Sequence, residues 1–247
     1  MNMSIASVMR SEWIKIKSVR SVAGSLVAVF AATLAVTMLV FATVGQAEAD
    51  SADYEPLFSA FYALNFGQIA AISFGATAVS SEFLNGALRI SFSAVPRRGL
   101  LYGAKMSVIG GVALAVGLIT TFATFLVGQA LMGEYAIGLG EPGAVRAAVG
   151  GSVYLMLMAL LAAGLTAVLR SAVAVLAVLI PFILIVSFVL GDIAGDAAQY
   201  LPSQAGQLVL HQNPGGDLGA WTGLAVTAAW AGTALCAGWW SIWRRDA

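Results

Sequence analysis

The feature of this 247-residue chain that most constrains its fold is a set of six long segments without Asp, Glu, Lys or Arg. The shortest, between Arg170 and Asp192, has 21 residues, and the longest, between Lys105 and Glu134, has 28. About 20 apolar residues in an α-helix cross the hydrocarbon core of a bilayer. We therefore predict an all-α polytopic membrane protein, a single domain over 1–247, with spans at about 22–44, 58–80, 106–130, 147–169, 172–191 and 220–243.

Composition agrees with this interpretation. Charged residues make up 10% of the chain and hydrophobic residues 60%, whereas soluble domains carry roughly 25% charged residues. A water-soluble fold could not cover its surface with so few charges. One further uncharged segment, 197–214, is too polar to lie exposed to lipid and is not counted as a span, because it contains Gln199, Gln204, Gln207, His211, Gln212, Asn213 and two prolines.

The distribution of cations predicts the orientation. With the N-terminus in the cytoplasm, eleven of the twelve Lys and Arg residues fall inside and only Arg146 falls outside. Nine of the twelve acids fall outside. The positive-inside rule therefore predicts that both termini are cytoplasmic. We expect the membrane to be the plasma membrane.

The segment before the first span, 4–20, alternates apolar residues with cations at helical spacing. This pattern predicts an amphipathic helix in the cytoplasmic interface, with Trp13 as its anchor. The alternative is a basic tail that only sets the topology. A cleaved signal peptide ending at Ala47–Ala49 is disfavoured, because the apolar run is longer than the roughly 7–15 residues of a signal sequence.

The predicted spans lack the residues that catalysis or ion coupling requires. They contain no ionisable side chain for a proton or sodium pathway, and no nucleophile with a base. Asn65 and Gln68 share one helical face and are the best candidates for polar groups facing a cavity, although single amides more often join helices. One cysteine, one histidine and the absence of a GxxxxGK[ST] loop predict no catalytic residue, no cofactor, no metal and no nucleotide site in this chain.

The loop after the second span has an unusual pattern. Glu82 begins a stretch, 82–96, whose apolar residues repeat at three and four, and Pro96 ends it before Arg97 and Arg98. We predict a short amphipathic helix with its acid in the first turn. Such a helix could rest on lipid or dock into a groove of a soluble partner, since both use an apolar face bordered by cations.

Several stretches resemble the membrane subunits of type-2 (ABC-2) ATP-binding-cassette exporters, most closely small actinobacterial permeases. They are MRSEWIKIKSVRS (9–21), SEFLNGALRISFSAVPRRGLLYGAK (81–105), YLPSQAG (200–206) and WRRDA (243–247). The resemblance implies that 82–96 is the coupling helix that contacts the ATPase. The contact region would then comprise Glu82, Gly86, Arg89, Pro96, Arg97 and Arg98. It also implies an interfacial connecting helix at 4–20 and short helices at 197–214 that dip into the outer leaflet. The large outer domain of some relatives is absent.

The function expected from this resemblance is that of a permease subunit for an amphipathic or lipophilic substrate such as a drug, peptide or lipid-like molecule. Its partners would be a second permease subunit, identical or different, an ATPase subunit that binds ATP and Mg²⁺, and the lipid bilayer, but no nucleic acid. The alternatives are a non-transporting component of a sensing or resistance complex and a lipid-processing enzyme. Gly215, Gly219 and Gly223 form a row at four-residue spacing, which suits packing within the subunit or a dimer contact.

Overall fold

Helices account for nearly all of the chain that the computed structural model describes, which is residues 5–49, 51, 54–86, 98–193, 195–214 and 217–244. In chain order the first α-helices are α1 (Ile5–Ser18), α2 (Arg20–Thr43), α3 (Gly45–Ala49), α4 (Pro56–Phe61) and α5 (Leu64–Ser80). They are followed by α6 (Arg98–Met132), α7 (Ala144–Leu169), α8 (Ala172–Ile193), α9 (Pro202–Gln207) and α10 (Ala220–Arg244). Short 3-10 helices occupy Ser81–Gly86, Gly133–Tyr135, Gly195–Tyr200 and Leu208–Leu210. No strand occurs in these ranges.

Within the described ranges, five helical segments are long and apolar enough to cross a membrane: Arg20–Thr43, Pro56–Phe83, Arg98–Tyr135, Ala144–Leu169 and Ala220–Arg244. Each overlaps a predicted span. The remaining predicted span, 172–191, coincides with α8, in which Ala172–Leu184 is a shorter apolar stretch that contains Pro181. The prediction of an all-helical membrane fold is confirmed. The helix that contains the third predicted span, α6, starts at Arg98, whereas the span was predicted from about residue 106.

The central helix of the bundle is α7, which packs against α5, α6 and α10. Two glycines allow the closest approaches. A methyl group at Gly164 would lie 2.6 Å from the carbonyl carbon of Ala234 in α10, and one at Gly75 in α5 would overlap the carbonyl oxygen of Ala159. Small residues at such positions bring helix backbones together, which is how helices associate tightly in lipid. Outside this centre, α2 packs on α5 and α6.

Charged residues are segregated to the two ends of the bundle. We define the basic end as the one that carries α1, the C-termini of α5, α7 and α10 and the N-termini of α2, α6 and α8. Its described cations are Arg10, Lys15, Lys17, Arg20, Arg98, Lys105, Arg170 and Arg244. At the opposite end, the acidic end, the described part of the chain places Glu48, Glu55, Glu134, Glu141, Asp192, Asp196, Asp217 and, as the one cation there, Arg146.

The polar segment at 197–214 folds back onto the bundle at the acidic end. Its short helices pack on α7 and α10, and Ala205, Val209 and Leu210 are fully buried. The hydroxyl of Thr227 in α10 donates a hydrogen bond to the carbonyl of Pro202 at 2.9 Å. Gly223 lies against the backbone of Ala205, so this part of the glycine row packs within the chain. Gly215 lies outside the described residues.

Candidate functional site

Four charged side chains meet in a partly buried cluster at the basic end and join three separate elements. The ammonium of Lys105 in α6 lies 2.6 Å from Glu12 in α1 and 3.0 Å from Glu82, which follows α5. The ammonium of Lys15 in α1 lies 2.7 Å from Glu12 and 2.9 Å from Glu82. We call these four residues the ionic junction. Each ammonium therefore bridges both carboxylates.

The two carboxylates of the ionic junction are buried although they lie near the end of the bundle. Glu12 is 1% exposed and Glu82 is 5% exposed. Two carboxylates and two ammonium groups have no net charge, which reduces the unfavourable desolvation of burying them. Removal of one member would leave an uncompensated buried charge, which typically costs about 3–5 kcal/mol.

The inner face of α1 explains how Glu12 reaches this position. Val8, Glu12 and Ile16 are spaced by four, so they lie on one side of the helix, and all three are buried. Val8 packs on Leu101, one turn before Lys105 in α6, and on Ala104, the residue next to Lys105. The helix therefore contacts the bundle through an apolar face with a carboxylate at its centre.

Lys15 stays charged throughout the physiological range. Burial alone lowers the pKa of its ammonium, but hydrogen bonds to Glu12 and Glu82 and the charges of those residues outweigh this effect. The folded pKa of Lys15 is therefore above its ordinary value of 10.5. The stabilisation from Lys15 is complete below pH 10.5 and is lost only as the pH rises through the higher folded pKa.

The described residues that flank most of the segment resembling a coupling helix lie at the ionic junction or near it. Glu82 belongs to the junction, and Arg98 lines one pocket together with Glu82 and Lys105. Glu82 and Gly86 lie in the 3-10 helix Ser81–Gly86, and Arg98 is the first residue of α6. Arg98 donates a hydrogen bond from its guanidinium to the carbonyl of Ile242 in α10, at 3.4 Å. The other predicted contact residues, Arg89, Pro96 and Arg97, lie outside the described residues, as does most of the predicted helix 82–96.

Arg170, in the turn between α7 and α8, contacts Phe83 next to Glu82. The guanidinium carbon of Arg170 lies 5.7 Å from the centre of the Phe83 ring. Arg170 has a φ of 55°, and its backbone N–H donates to the carbonyl of Thr166 at 2.7 Å, so it ends α7 in a left-handed conformation. A non-glycine residue is uncommon there. The contact with Phe83 links this tight turn to the residues that follow Glu82.

The predicted polar pair, Asn65 and Gln68, lies in a hydrogen-bonded network between helices. Gln207 in α9 donates a hydrogen bond to the side chain of Asn65 at 2.8 Å, and the Tyr154 hydroxyl in α7 donates to the side chain of Gln68. Gln68 and Tyr154 are buried. In this structure the two amides connect α5 to α7 and α9.

Aromatic residues at the basic end include the predicted anchor. Trp13 is 41% exposed, and the ammonium of Lys17 lies 4.7 Å from the centre of its ring. Trp239, Trp240 and Trp243 of α10 are exposed at the same end. Tryptophan is enriched where membrane proteins meet the lipid headgroups. The C-terminal turns of α10 and the outer face of α1 therefore both carry exposed tryptophan.

Sequence reasoning missed the ionic junction. It treated α1 as a helix with an apolar face and a basic face and gave Glu12 no role. A signal was present, because Glu12 is the sole acid before Glu48 and stands four residues from both Val8 and Ile16. An acid on the apolar side of a basic helix needs a buried cation as its partner.

Together the five long apolar helices and the segregated charges define an α-helical membrane protein. Comparisons with family models and with curated proteins found no match to the chain. Among the described residues, no group of three or more His, Cys, Asp or Glu side chains could hold a metal ion.

Proposed function

We propose that this chain is the permease subunit of a type-2 ATP-binding-cassette exporter in the plasma membrane. It would have six spans, with α8 as the fifth, and both termini in the cytoplasm. It would pair with a second permease subunit and with ATPase subunits that bind ATP and Mg²⁺. Its cargo would be amphipathic or lipophilic, because the spans carry no charges in their central parts.

The observation that carries this proposal is the ionic junction. It binds the start of the proposed coupling segment, at Glu82, and the first turns of α6, at Lys105, to the same helix, α1. A displacement of the segment by a soluble partner would therefore be transmitted to α1, α5 and α6 together. A transporter without an ion pathway in its spans needs such a mechanical connection, because the work must come from another protein.

Topology provides the first test. With Cys236 replaced, single cysteines at Ser51 and Asp217 should react with an impermeant maleimide in intact cells, and a cysteine at Ala247 should react only after lysis. The expectation rests on the excess of cations at the basic end. Reaction of position 247 in intact cells, or protection of positions 51 and 217, would contradict the proposed orientation.

Association with the ATPase provides the second test. Arg89→Glu and Arg97→Glu should each reduce ATPase capture and export, because reversing a charge within an interface leaves a repelling or unpaired group. Capture is measured by pull-down and normalised to membrane-inserted protein. The chain purified alone should hydrolyse no ATP.

Arg244→Glu is the matched control, since Arg244 is a cation at the basic end that lies over the ring of Trp240 and is not part of the proposed coupling segment. It should leave ATPase capture unchanged. If the segment only rests on anionic lipid, each reversal should cost about 1 kcal/mol of surface attraction and the complex should persist. Full capture and export in both reversals would contradict the coupling role.

A further inference from the structure

A cavity of about 460 Å³ opens at the acidic end, between the end of α2 and α4. Four aromatic residues line it, namely Phe41, Tyr54, Phe58 and Tyr62. Glu48 of α3 also lines it, together with Val40, Val44, Gly45 and Ser59. Cavities of about 300–1,000 Å³ with mostly apolar walls and a few polar groups are typical of small-molecule sites.

The electrostatics of this cavity favour a positive charge. In the part of the chain that the structure describes, no basic side chain lines it. Burial, and then the negative charge of Glu48, raise the pKa of the Tyr54 phenol. The carboxylate is therefore close enough to contribute negative potential at the aromatic wall. The faces of aromatic rings carry partial negative charge and attract cations, most strongly where water is excluded.

The aromatic wall is held in place by contacts behind it. The His211 ring stacks on Phe58 with the two ring centres 4.2 Å apart, and Glu55 lies 2.8 Å from Nδ1 of His211. The carbonyl of His211 accepts a hydrogen bond from Arg146 at 2.6 Å. On the other side, Tyr62 meets Phe58 edge to face. A wall fixed in this way loses little conformational entropy when a ligand binds.

We propose that this acidic-end cavity binds an organic cation with an apolar body, such as a phosphonium or quaternary ammonium compound. The ring faces would contact the apolar groups and the cationic centre of the ligand. The Glu48 carboxylate would balance the positive charge. The inference rests on the proposed function, since it names the class of cargo that such a permease would accept or release at this end.

The test measures binding of radiolabelled tetraphenylphosphonium to the full chain, purified in a neutral detergent without its ATPase. Binding should be saturable. Tyr62→Ala should weaken it roughly fivefold by removing an exposed ring of the cavity. Glu48→Gln should weaken it about threefold or more by removing the carboxylate charge. Tetraphenylborate, an anion of the same shape, should not compete.

The matched controls are Trp221→Ala and Glu134→Gln, an exposed aromatic residue and an exposed acid that do not line the cavity. Both should bind the phosphonium as the wild type does. Equal binding by the wild type, Tyr62→Ala and Glu48→Gln would overturn the proposal, and so would equal competition by the borate.

A further competition experiment distinguishes a free organic cation from a lipid headgroup as the ligand of the cavity. Short-chain phosphatidylcholine and short-chain phosphatidylglycerol are added at equal concentrations. Failure of both lipids to displace the phosphonium is expected, and displacement by the choline lipid alone would overturn a free cation as the ligand. Because no arm uses the ATPase, failure here leaves ATPase capture unaffected, and failure of capture leaves this binding result intact.

Discussion

Lys105→Met should destabilise the folded chain by about 3 kcal/mol or more and release α1 from the bundle. Methionine keeps most of the volume of lysine but removes its charge, so Glu12 and Glu82 are left to share Lys15. Stability is measured by thermal unfolding in detergent micelles. Release of α1 is measured by limited trypsin cleavage at Arg10, Lys17 and Arg20, which should become faster.

The double variant Glu12→Gln/Lys105→Met separates charge balance from general damage. It leaves one carboxylate and one ammonium in the ionic junction, so most of the lost stability should return. Replacing both members of a buried ion pair is often close to neutral, whereas removing one is not.

Lys17→Met controls for the loss of a lysine from the basic end, because Lys17 is exposed on the same helix as Lys15. It should change the unfolding temperature little, as exposed charges contribute roughly 0–1 kcal/mol. If Lys105→Met matches Lys17→Met in both stability and cleavage, the ionic junction does not hold α1 in place.

The positions of the membrane helices could be predicted from sequence because the signal is local. A run of more than 20 uncharged residues must be helical in lipid, where each backbone group needs an internal hydrogen bond. The start of α6 was harder to place. Arg98 and Lys105 stand inside the helix near its N-terminus, so counting uncharged residues delayed the predicted start to about residue 106.

The ionic junction could not be derived from local patterns, because its members are far apart in the chain. Glu12, Glu82 and Lys105 come together only once α1 has packed on α6. The same holds for Asn65, whose side-chain partner Gln207 lies 142 residues away, in the segment predicted to form short helices at the outer leaflet. Sequence reasoning singled out Glu82 and Asn65 but could not pair them, and it gave Glu12 no role.

Sequence spacing pointed to the glycine row that includes Gly223 but gave no indication of the close helix contact at Gly75. The structure separates glycines at close contacts from glycines in open positions. A side chain at Gly75 would meet the backbone of Ala159 in the central helix α7. A side chain at Gly111, on the exposed face of α6, would meet nothing within 4 Å. Both lie within apolar helices that are long enough to cross the membrane.

Gly75→Leu should therefore destabilise the fold by about 3 kcal/mol, because α5 and α7 must separate to admit the side chain and lose their packing along this contact. Gly111→Leu should be neutral or stabilising by up to about 1 kcal/mol, since leucine is the better helix former and has room there. The two variants are compared by thermal unfolding in micelles. Neither should accelerate trypsin cleavage in α1 as much as Lys105→Met does. Similar unfolding temperatures for Gly75→Leu and Gly111→Leu would show that the close contact between α5 and α7 does not determine stability.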